Sequence, residues 1–467
     1  MEARNYIEAL LVQNSIQIQG KVAALDHFAN EESNKNAVQI IQENQKLIMT
    51  NWILKTRIDD ITAQPLMLPN GTVGKPYNGS VDFVKWGWND ITEFIIEGLE
   101  NTGLNYDEAS HIISGNPTVS GNLKCILKFN VVGERADSPL NEKVVTLIIN
   151  PDPKSLWTNI PSDTNDFYWK EDNVEVSDNF LDKKIVVSSK RGRSHANVGS
   201  FRDDDFSYRK IGNTGWNVVA VSDGAGSAPS SRMGSKIACE SVISFFEEYL
   251  TEDIVRQLDE NLNLQQRSPD DANIKQTSKV VYEMMSKAAF EAHKSIADFA
   301  TKVEKPLKDF HTTLIFALIK KLDSGYALLT FGVGDCPIAI IDKDLTSVKL
   351  MNWLDVGEFS GGTRFITMPE IFHSDKFSTR FGVRLIEDFS YLFLMTDGIY
   401  DPKFVVEANL EKIEHWNEFI KDLKQQSEEG NKIDFSYDNE NIAKELAVWM
   451  DFWSPGNHDD RTLAIIF

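Results

Sequence analysis

Three apolar runs of this sequence end in an aspartate. The run "VVAVSDG" ends at Asp223, "LLTFGVGD" at Asp335 and "LFLMTDG" at Asp397. Short apolar runs bounded by turn residues are typical of buried strands, and Asp-Gly after a strand is by itself only a turn signal. If the three strands are neighbours, however, their carboxylates gather at one edge and raise one another's pKa. The repeated pattern therefore indicates a sheet protein with an acidic site at the strand ends.

Two further acidic clusters lie near the ends of the same region. The segment "FRDDDF" contains Asp203, Asp204 and Asp205, and "HDDRT" places Asp459 and Asp460 before a final apolar run. Divalent cations relieve the repulsion among gathered carboxylates. A carboxylate set with few histidines and no paired cysteines favours hard ions such as Mg²⁺ or Mn²⁺ over zinc.

Composition excludes several classes of function. The net charge of −22 argues against a general nucleic-acid or anionic-membrane binder. Three cysteines in 467 residues form no disulfide framework, so we expect a reducing, cytoplasmic environment. The N-terminal segment has early acidic residues and does not read as a signal peptide, and no run reaches the roughly 18 apolar residues of a spanning helix.

The chain divides into four segments by its patterning. Residues 1–62 carry apolar residues at helical spacing, and residues 63–152 contain short apolar runs separated by Gly, Asn and Pro. This second segment resembles the immunoglobulin-like modules of many bacterial multidomain proteins, which implies a small all-β sandwich. Residues 153–182 indicate a polar linker, and residues 183–467 a single α+β domain.

The last segment alternates strand-like runs with amphipathic helices. The strand-like runs are "KKIVVSS", "NVVAV", "TTLIFALI", "YALLTFGV", "CPIAII", "YLFLM" and "RTLAIIF". The segment resembles the metal-dependent serine/threonine protein phosphatases of type 2C, in their bacterial branch, across about 280 residues. The motifs that carry the resemblance occur in the family's order: "SHANVGSFRDD" (194–204), "SDGAGSA" (222–228), "HTTL" (311–314), "GVGD" (332–335), "GEFSGGTRFIT" (357–367), "MTDG" (395–398) and "HDDRT" (458–462).

The resemblance implies a β-sandwich flanked by helices and hydrolysis of phosphoserine or phosphothreonine on proteins. It also implies two Mn²⁺ or Mg²⁺ ions, with a water between them as the nucleophile. Asp223 would bridge the two ions, and Asp397 and Asp459 would complete one of the two sites. These three aspartates are the expected catalytic residues.

The same resemblance assigns the other metal ligands. Asp203 and the carbonyl of Gly224 would hold the second ion, Asp204 would orient water, and Asp335 corresponds to a ligand of a weaker third ion. The small residues from Gly224 to Ser227 would let the backbone approach a metal and leave room for a phosphorylated side chain.

The sequence departs from the family at three positions beside the site. Asp203 replaces the family's more usual Glu or Gln and is one methylene shorter. Gly199 stands where many members carry an arginine that grips the phosphate, and Ala225 stands where a histidine often follows the first Asp-Gly. We therefore expect Arg202, His195 and Ser227 to contact the phosphate instead. Segment 357–367 corresponds to the family's mobile flap beside the site.

Other phosphoryl chemistries lack their motifs. None of the cysteines has an arginine six positions later, "NGTVGKPY" places a proline where a P-loop needs Ser or Thr, and no His-Glu-x-x-His occurs. The remaining alternatives are a phosphatase fold that binds phosphorylated partners without turnover and a sensor whose N-terminal half gates the flap. The resemblance also implies a phosphorylated protein substrate, with a cognate serine/threonine kinase and a von Willebrand-type protein as partners.

Overall fold

The computed structural model describes residues 2–355, 362–425, 432–454 and 456–467. The chain forms two compact units, Met1–Leu156 and Trp157–Phe467. Among the residues described, none of the helices combines the length and the apolar character that crossing a bilayer requires.

The first unit begins with three helices, α1 (Ala3–Gln13), α2 (Val22–Asn30) and α3 (Glu32–Ala63). Their apolar faces meet in a small core that contains Ile7, Leu25, Ala29 and Val38. The predicted N-terminal helical segment is thereby confirmed.

Two small sheets follow in the same unit. Their elements are β1 (Gly71–Thr72), β2 (Tyr77–Ser80), α4 (Phe83–Trp86), β3 (Ile91–Glu97), β4 (Leu104–Asp107), β5 (Ile112–Gly115), β6 (Gly121–Val131) and β7 (Asn141–Asn150). One sheet has the order β1-β7-β6-β3 and the other β2-β5-β4. Side chains from both sheets, among them Tyr77, Leu104 and Leu147, share one core. The immunoglobulin-like identity of this part stays a prediction.

The second unit contains eleven strands among its described residues. They are β8 (Asn173–Phe180), β9 (Lys183–Lys190), β10 (Asp205–Lys210), β11 (Trp216–Ser222), β12 (Leu314–Leu322), β13 (Gly325–Val333), β14 (Ile338–Asp342), β15 (Val348–Leu350), β16 (Phe381–Ile386), β17 (Phe389–Met395) and β18 (Arg461–Ile466). Strand order is β10-β11-β12-β13-β16 in one sheet and β15-β14-β17-β18-β9-β8 in the other.

The helices of this unit are α5 (Arg193–Val198), α6 (Ser231–Tyr249), α7 (Glu252–Arg267), α8 (Asp271–Lys302), α9 (Asp397–Phe404), α10 (Ile413–Lys424) and α11 (Ile442–Trp449). The two sheets pack face to face through alternate side chains such as Val219, Ile315 and Leu394. Helices α6 to α8 cover the outer face of the five-stranded sheet, and α9 to α11 that of the six-stranded sheet. The predicted β-sandwich flanked by helices is confirmed.

The linker predicted over residues 153–182 needs a correction. Its last part is strand β8, which pairs along its whole length with β9. Strand β8 lies at the edge of its sheet, and most of its side chains are exposed or half-buried. It therefore lacks the continuous apolar run by which buried strands are recognised.

Candidate metal centre

Asp223 and Asp335 lie at the same end of the five-stranded sheet, where neighbouring strands end. Strands β11, β12 and β13 are antiparallel neighbours, so the end of β11, the start of β12 and the end of β13 meet at the same edge. Asp223 follows β11 and Asp335 follows β13 closely. One carboxylate oxygen of each lies within 4.8 Å of the other and of the Sγ atom of Cys336.

The backbone of Asp223 is held on both sides by two buried threonines. The amide of Thr313 donates to the Asp223 carbonyl at 2.8 Å, and the Asp223 amide donates to Thr313 Oγ1 at 2.9 Å. The Thr312 hydroxyl donates to the same carbonyl at 2.8 Å. These bonds fix the direction in which the Asp223 side chain leaves the strand.

The six-stranded sheet contributes Asp397 and Asp459 in the same way. Strands β17 and β18 are antiparallel neighbours, so the end of β17 meets the start of β18. Asp397 is the first residue of α9, and Asp459 lies two residues before β18. The two chain segments touch at Gly398, where an added Cβ would lie 1.9 Å from the Asp460 carbonyl oxygen. Only glycine fits there, and it lets the two aspartates share one edge.

Asp203 and Asp204 reach this centre from the segment before β10. The carboxylate of Asp204 is buried and accepts hydrogen bonds from Thr396 Oγ1 and Thr462 Oγ1, both at 2.8 Å. The backbone of Asp203 lies against Gly224, where an added Cβ would meet the Asp203 carbonyl oxygen at 2.6 Å. A glycine is therefore required at position 224, because the two chain segments approach too closely to leave space for a Cβ atom.

Burial and mutual repulsion raise the pKa values of these carboxyl groups. Burial raises the pKa of Asp223, and the carboxylates of Asp397, Asp204, Asp459 and Asp335 raise it further. Burial and Asp459 likewise raise the pKa of Asp397 to about 8. The carboxyl groups of Asp335 and Asp459 also have raised pKa values, first because of burial. Asp397, Asp204, Asp459 and Asp335 are thus all close enough to Asp223 to affect its pKa.

The donor set fits hard divalent cations. Buried carboxylates that oppose one another are stabilised when a metal ion replaces the protons that would otherwise neutralise them. The carboxylates of Asp397, Asp204, Asp459 and Asp335 near Asp223 offer oxygen atoms. Burial raises the pKa of the neighbouring Cys336 thiol well above its usual value. A protonated thiol is a poor ligand, so the carboxylates are the groups suited to a divalent cation.

His195 lies near two further carboxylates of this centre, those of Asp203 and Asp460. Its Nδ1 lies 3.0 Å from Asp460 Oδ1, and its Nε2 lies 3.8 Å from Asp203 Oδ2. Burial lowers the pKa of His195, but the hydrogen bond and charge of Asp460 outweigh it and raise the pKa to about 9. The imidazole therefore lies between two carboxylates that favour its protonated form.

The two other predicted phosphate contacts, Arg202 and Ser227, differ in exposure. Arg202 is 2% exposed, and its guanidinium donates to Glu171 O, Ser189 Oγ and Asp204 O at 3.1, 2.6 and 2.7 Å. This geometry gives Arg202 a structural role and corrects the prediction that it binds the phosphate. Ser227 lies exposed in the loop after Gly224.

The predicted flap, residues 357–367, lies partly outside the described residues. Of its described part, Thr363 Oγ1 donates to Asp335 Oδ2 at 2.9 Å. The amide of Ile366 donates to the Thr312 carbonyl at 2.9 Å. The end of this segment is therefore in contact with the carboxylate centre.

Sequence reasoning missed the hydroxyl groups that support the aspartates. Thr312, Thr313, Thr396 and Thr462 were read as parts of motifs or strands, and Asp460 was given no role. Each threonine adjoins a strand end that carries a predicted ligand or supports one, and this adjacency is the signal that could have identified them. Side chains that orient metal ligands are common around metal sites.

The chain matches the family model described as Protein phosphatase 2C over residues 191–449. This match covers more than half of the chain and includes Asp203, Asp223, Asp335 and Asp397. The chain therefore belongs to the protein phosphatase 2C family. None of the curated protein sequences compared with it matches.

Solved structures similar to this chain include three phosphatases. A bacterial serine phosphatase is 12% identical, with 60% of this chain and 96% of that chain covered, at a TM-score of 0.35. The serine/threonine phosphatase Stp1 from Staphylococcus aureus is 14% identical, with 62% and 95% covered, at 0.35. The catalytic domain of the serine/threonine phosphatase PstP, in complex with two manganese ions, is 12% identical, with 63% and 98% covered, at 0.36.

The family assigns a protein phosphatase domain to this chain, and the structure provides acidic groups suited to divalent metal ions.

Proposed function

We propose that this chain hydrolyses phosphoserine and phosphothreonine in proteins with the help of two Mn²⁺ or Mg²⁺ ions. The observation that supports the proposal most is that Asp223, Asp335, Asp397 and Asp459 all lie at strand ends, and that burial and the charges of the other three raise the pKa of Asp223. Perturbed carboxyl groups of this kind cluster at functional sites.

Three aspartates form the core of the proposed site. Asp223, which follows β11, would contact both ions, and its backbone is fixed by Thr312 and Thr313. Asp397 and Asp459, from the neighbouring strands β17 and β18, would complete one ion's ligands. Bound ions of this type lower the pKa of water and polarise phosphoryl oxygens.

The remaining acidic residues would serve the second ion and its surroundings. Asp203 and the Gly224 carbonyl would hold that ion, since their backbones are in close contact. Asp204, whose orientation is fixed by two threonine hydroxyls, would orient bound water. Asp335 would hold a weaker third ion.

Two residues remain as candidates for positioning the substrate. Ser227 lies exposed in the small-residue loop that begins at Gly224, so it is open to an approaching phosphate. His195 is bonded to Asp460 and faces Asp203, so we propose that it holds Asp203 in place and adds positive charge beside the phosphate.

The biological setting is part of the same proposal. A phosphorylated protein would be the substrate, a cognate serine/threonine kinase would supply it, and the reaction would take place in the cytoplasm. We further propose that a helical segment (1–62) and an immunoglobulin-like sandwich (63–152) precede the phosphatase domain. Nucleic acids and membranes are not expected ligands, since the net charge is −22.

Hydrolysis of p-nitrophenyl phosphate tests the metal-dependent activity. We expect turnover with Mn²⁺ or Mg²⁺, loss of turnover with EDTA, and recovery when the metal is restored. Phosphothreonine and phosphoserine peptides should be hydrolysed in preference to phosphotyrosine peptides. Asp344 is exposed and lies away from the centre. The variant Asp344→Asn is therefore the control for variants that lose a carboxylate of the proposed site.

Two results would contradict this proposal. Turnover that EDTA leaves unchanged would show that the carboxylates do not act through metal ions. Tight binding of Mn²⁺ without turnover of any phosphorylated substrate would favour the alternative, a phosphatase fold that binds phosphorylated partners.

A further inference from the structure

The middle of helix α3 exposes many large apolar side chains within a short stretch. Seven such side chains are between 38% and 68% exposed, and all but one of them are more than half exposed. They are Ile40, Ile41, Leu47, Ile48, Met49, Trp52 and Ile53. Single exposed apolar residues are ordinary on a protein surface, whereas a patch of them marks an interaction site.

Five of these residues lie on one face of the helix. At about 3.6 residues per turn they fall within an arc of roughly 140°, which is wide enough for a helix to pack onto a core. The side chains that lie between them in this arc, Asn44 and Asn51, carry no charge. We call this surface the α3 face, and it consists of Ile40, Ile41, Leu47, Ile48 and Trp52.

Both ends of α3 are packed, whereas the α3 face is left in water. Val38 packs against α1 and α2, and Leu54, Ile58 and Ile61 pack in a core with the strands that follow. Among the described residues, the five side chains of the α3 face belong to none of the hydrophobic cores. Helical segments in water gain most of their stability from packing of an apolar face, so this face calls for a partner.

The charges of the chain indicate which partner fits. Helix α3 is neutral, although the whole chain has a net charge of −22. Its basic residues are Lys35, Lys46, Lys55 and Arg57, and its acidic residues are Glu32, Glu43, Asp59 and Asp60. An anionic membrane is repelled by the acidic chain, and a basic protein gains more from contact with the acidic surface elsewhere.

A second copy of this chain meets these conditions. The two partners in a twofold dimer use the same patch, so that patch has to be complementary to itself. A charged patch repels its own copy, but an uncharged apolar face does not. Contact through α3 therefore joins two acidic chains where the repulsion between them is smallest.

The size of the α3 face is also suited to a dimer. Side chains of this size present on the order of 100 Å² each at these exposures. Two copies of the face in contact would therefore remove on the order of 1,000 Å² from water, which is the lower end of the range for specific interfaces.

We propose that the α3 face is a dimer interface, at which the α3 helices of two copies of this chain pack against each other. The contact covers the five apolar side chains, and Asn44 and Asn51 fix the register of the two helices, as uncharged polar residues do within helix pairs. This inference is independent of the proposed phosphatase function, because its test measures association and not turnover.

Sedimentation equilibrium of the full chain tests the inference. We expect the chain to pass from monomer to dimer as its concentration rises, with a dissociation constant on the order of 10 µM, as for a small interface. Ile48→Glu places a charge at the centre of the α3 face and should raise the dissociation constant at least about tenfold. Ile48 is 68% exposed in the single chain, so the variant should fold, which circular dichroism checks.

Three further variants sharpen the test. Trp52→Gln removes the largest side chain of the α3 face without adding a charge, and it should also weaken the dimer. Leu264→Glu introduces the same charge as Ile48→Glu at a residue of α7 that is 50% exposed, and it should leave the dissociation constant unchanged. Ile48→Leu keeps the apolar volume and should keep the dimer.

Four outcomes overturn the inference. Three of them are a chain that stays monomeric at every concentration, a dimer that Ile48→Glu and Trp52→Gln leave intact, and a dimer that Leu264→Glu weakens equally. The fourth concerns a membrane as the partner. A monomeric chain that sediments with phosphatidylcholine vesicles, and loses this binding in Ile48→Glu, would show that the α3 face contacts lipid instead of a second copy.

Discussion

Asp204 and Asp205 are neighbours in the chain, yet their carboxyl groups have opposite pKa shifts. Asp205 forms a 2.9 Å ion pair with Lys170, and although burial raises its pKa, the charges of Lys170 and Arg202 outweigh burial and lower it. Asp204 is also buried, and burial together with the charges of Asp460 and Asp459 raises its pKa, although hydrogen bonds from Thr462 and Thr396 act in the opposite direction. The fold therefore pairs Asp205 with a cation, and it leaves Asp204 beside the other carboxylates of the candidate metal centre.

The difference between Asp204 and Asp205 follows from where the fold places the nearest buried cation, Lys170. Lys170 is 9% exposed and donates to the Asp204 carbonyl, to Asp205 and to Ser235. The chain therefore places a buried cation within one residue of the metal centre without letting it neutralise the centre. Opposed charges of this kind cluster at functional sites.

The largest expected effect is on activity, in Asp223→Asn. Because Asp223 would contact both ions, we expect kcat/KM for p-nitrophenyl phosphate to fall at least about 10³-fold, or about 4 kcal/mol of transition-state stabilisation. The metal-free protein at pH 8 should become more stable, since one repelling charge is removed. Asp205→Asn should instead lower the free energy of unfolding. The comparison between the two groups fails if both variants change stability in the same direction.

Lys170→Met should have the next largest effect, this time on stability. Removing one partner of a buried ion pair leaves Asp205 uncompensated, which costs about 3 kcal/mol. Urea unfolding at pH 7 measures the loss. The double variant Lys170→Met/Asp205→Leu should recover most of it, and an equally unstable double variant would show that the ion pair is not the cause.

The pH dependence of stability should change sign with metal. In the metal-free protein the folded-state pKa is raised to about 6 for Asp203 and to about 8 for Asp397, chiefly by burial, so the folded state holds more protons than the unfolded state. The free energy of unfolding should therefore fall by about 2 kcal/mol or more from pH 4 to pH 8. The raised pKa of His195 acts in the same direction.

With saturating Mn²⁺ the trend should reverse, because the ions bind the deprotonated carboxylates. Thermal unfolding at several pH values, with metal and with EDTA, checks both trends. Metal-free stability that rises between pH 5 and pH 8 would contradict the raised pKa values of the centre.

Thr313→Val should have the smallest effect. It removes the acceptor of the Asp223 amide and should weaken Mn²⁺ binding about tenfold, as loss of a ligand-orienting contact does, with about 1 kcal/mol lost in stability. Thr330→Val is the matched control, since Thr330 is buried in β13 and donates to Met351 O away from the centre. Isothermal titration should show weaker Mn²⁺ binding only in Thr313→Val, and equal losses in both variants would exclude an orienting role.

The sequence by itself determined the interior strands of both sheets. The seven apolar runs from "KKIVVSS" to "RTLAIIF" are β9, β11, β12, β13, β14, β17 and β18, which all lie between other strands. Burial on both faces makes such strands continuously apolar. The acidic residues that follow these runs were visible for the same reason, because strand ends are local features of the chain.

Only the tertiary structure decided the edges and the pairing of charges. Strands β8, β10, β15 and β16 lie at the four sheet edges and are only partly buried, so they lack an apolar run. The sequence likewise did not distinguish Asp204 from Asp205, and it left Arg202 open as a phosphate ligand. The charge partners of these residues lie far away in the chain, and a local pattern of polarity carries no information about which distant side chains the fold will bring into contact.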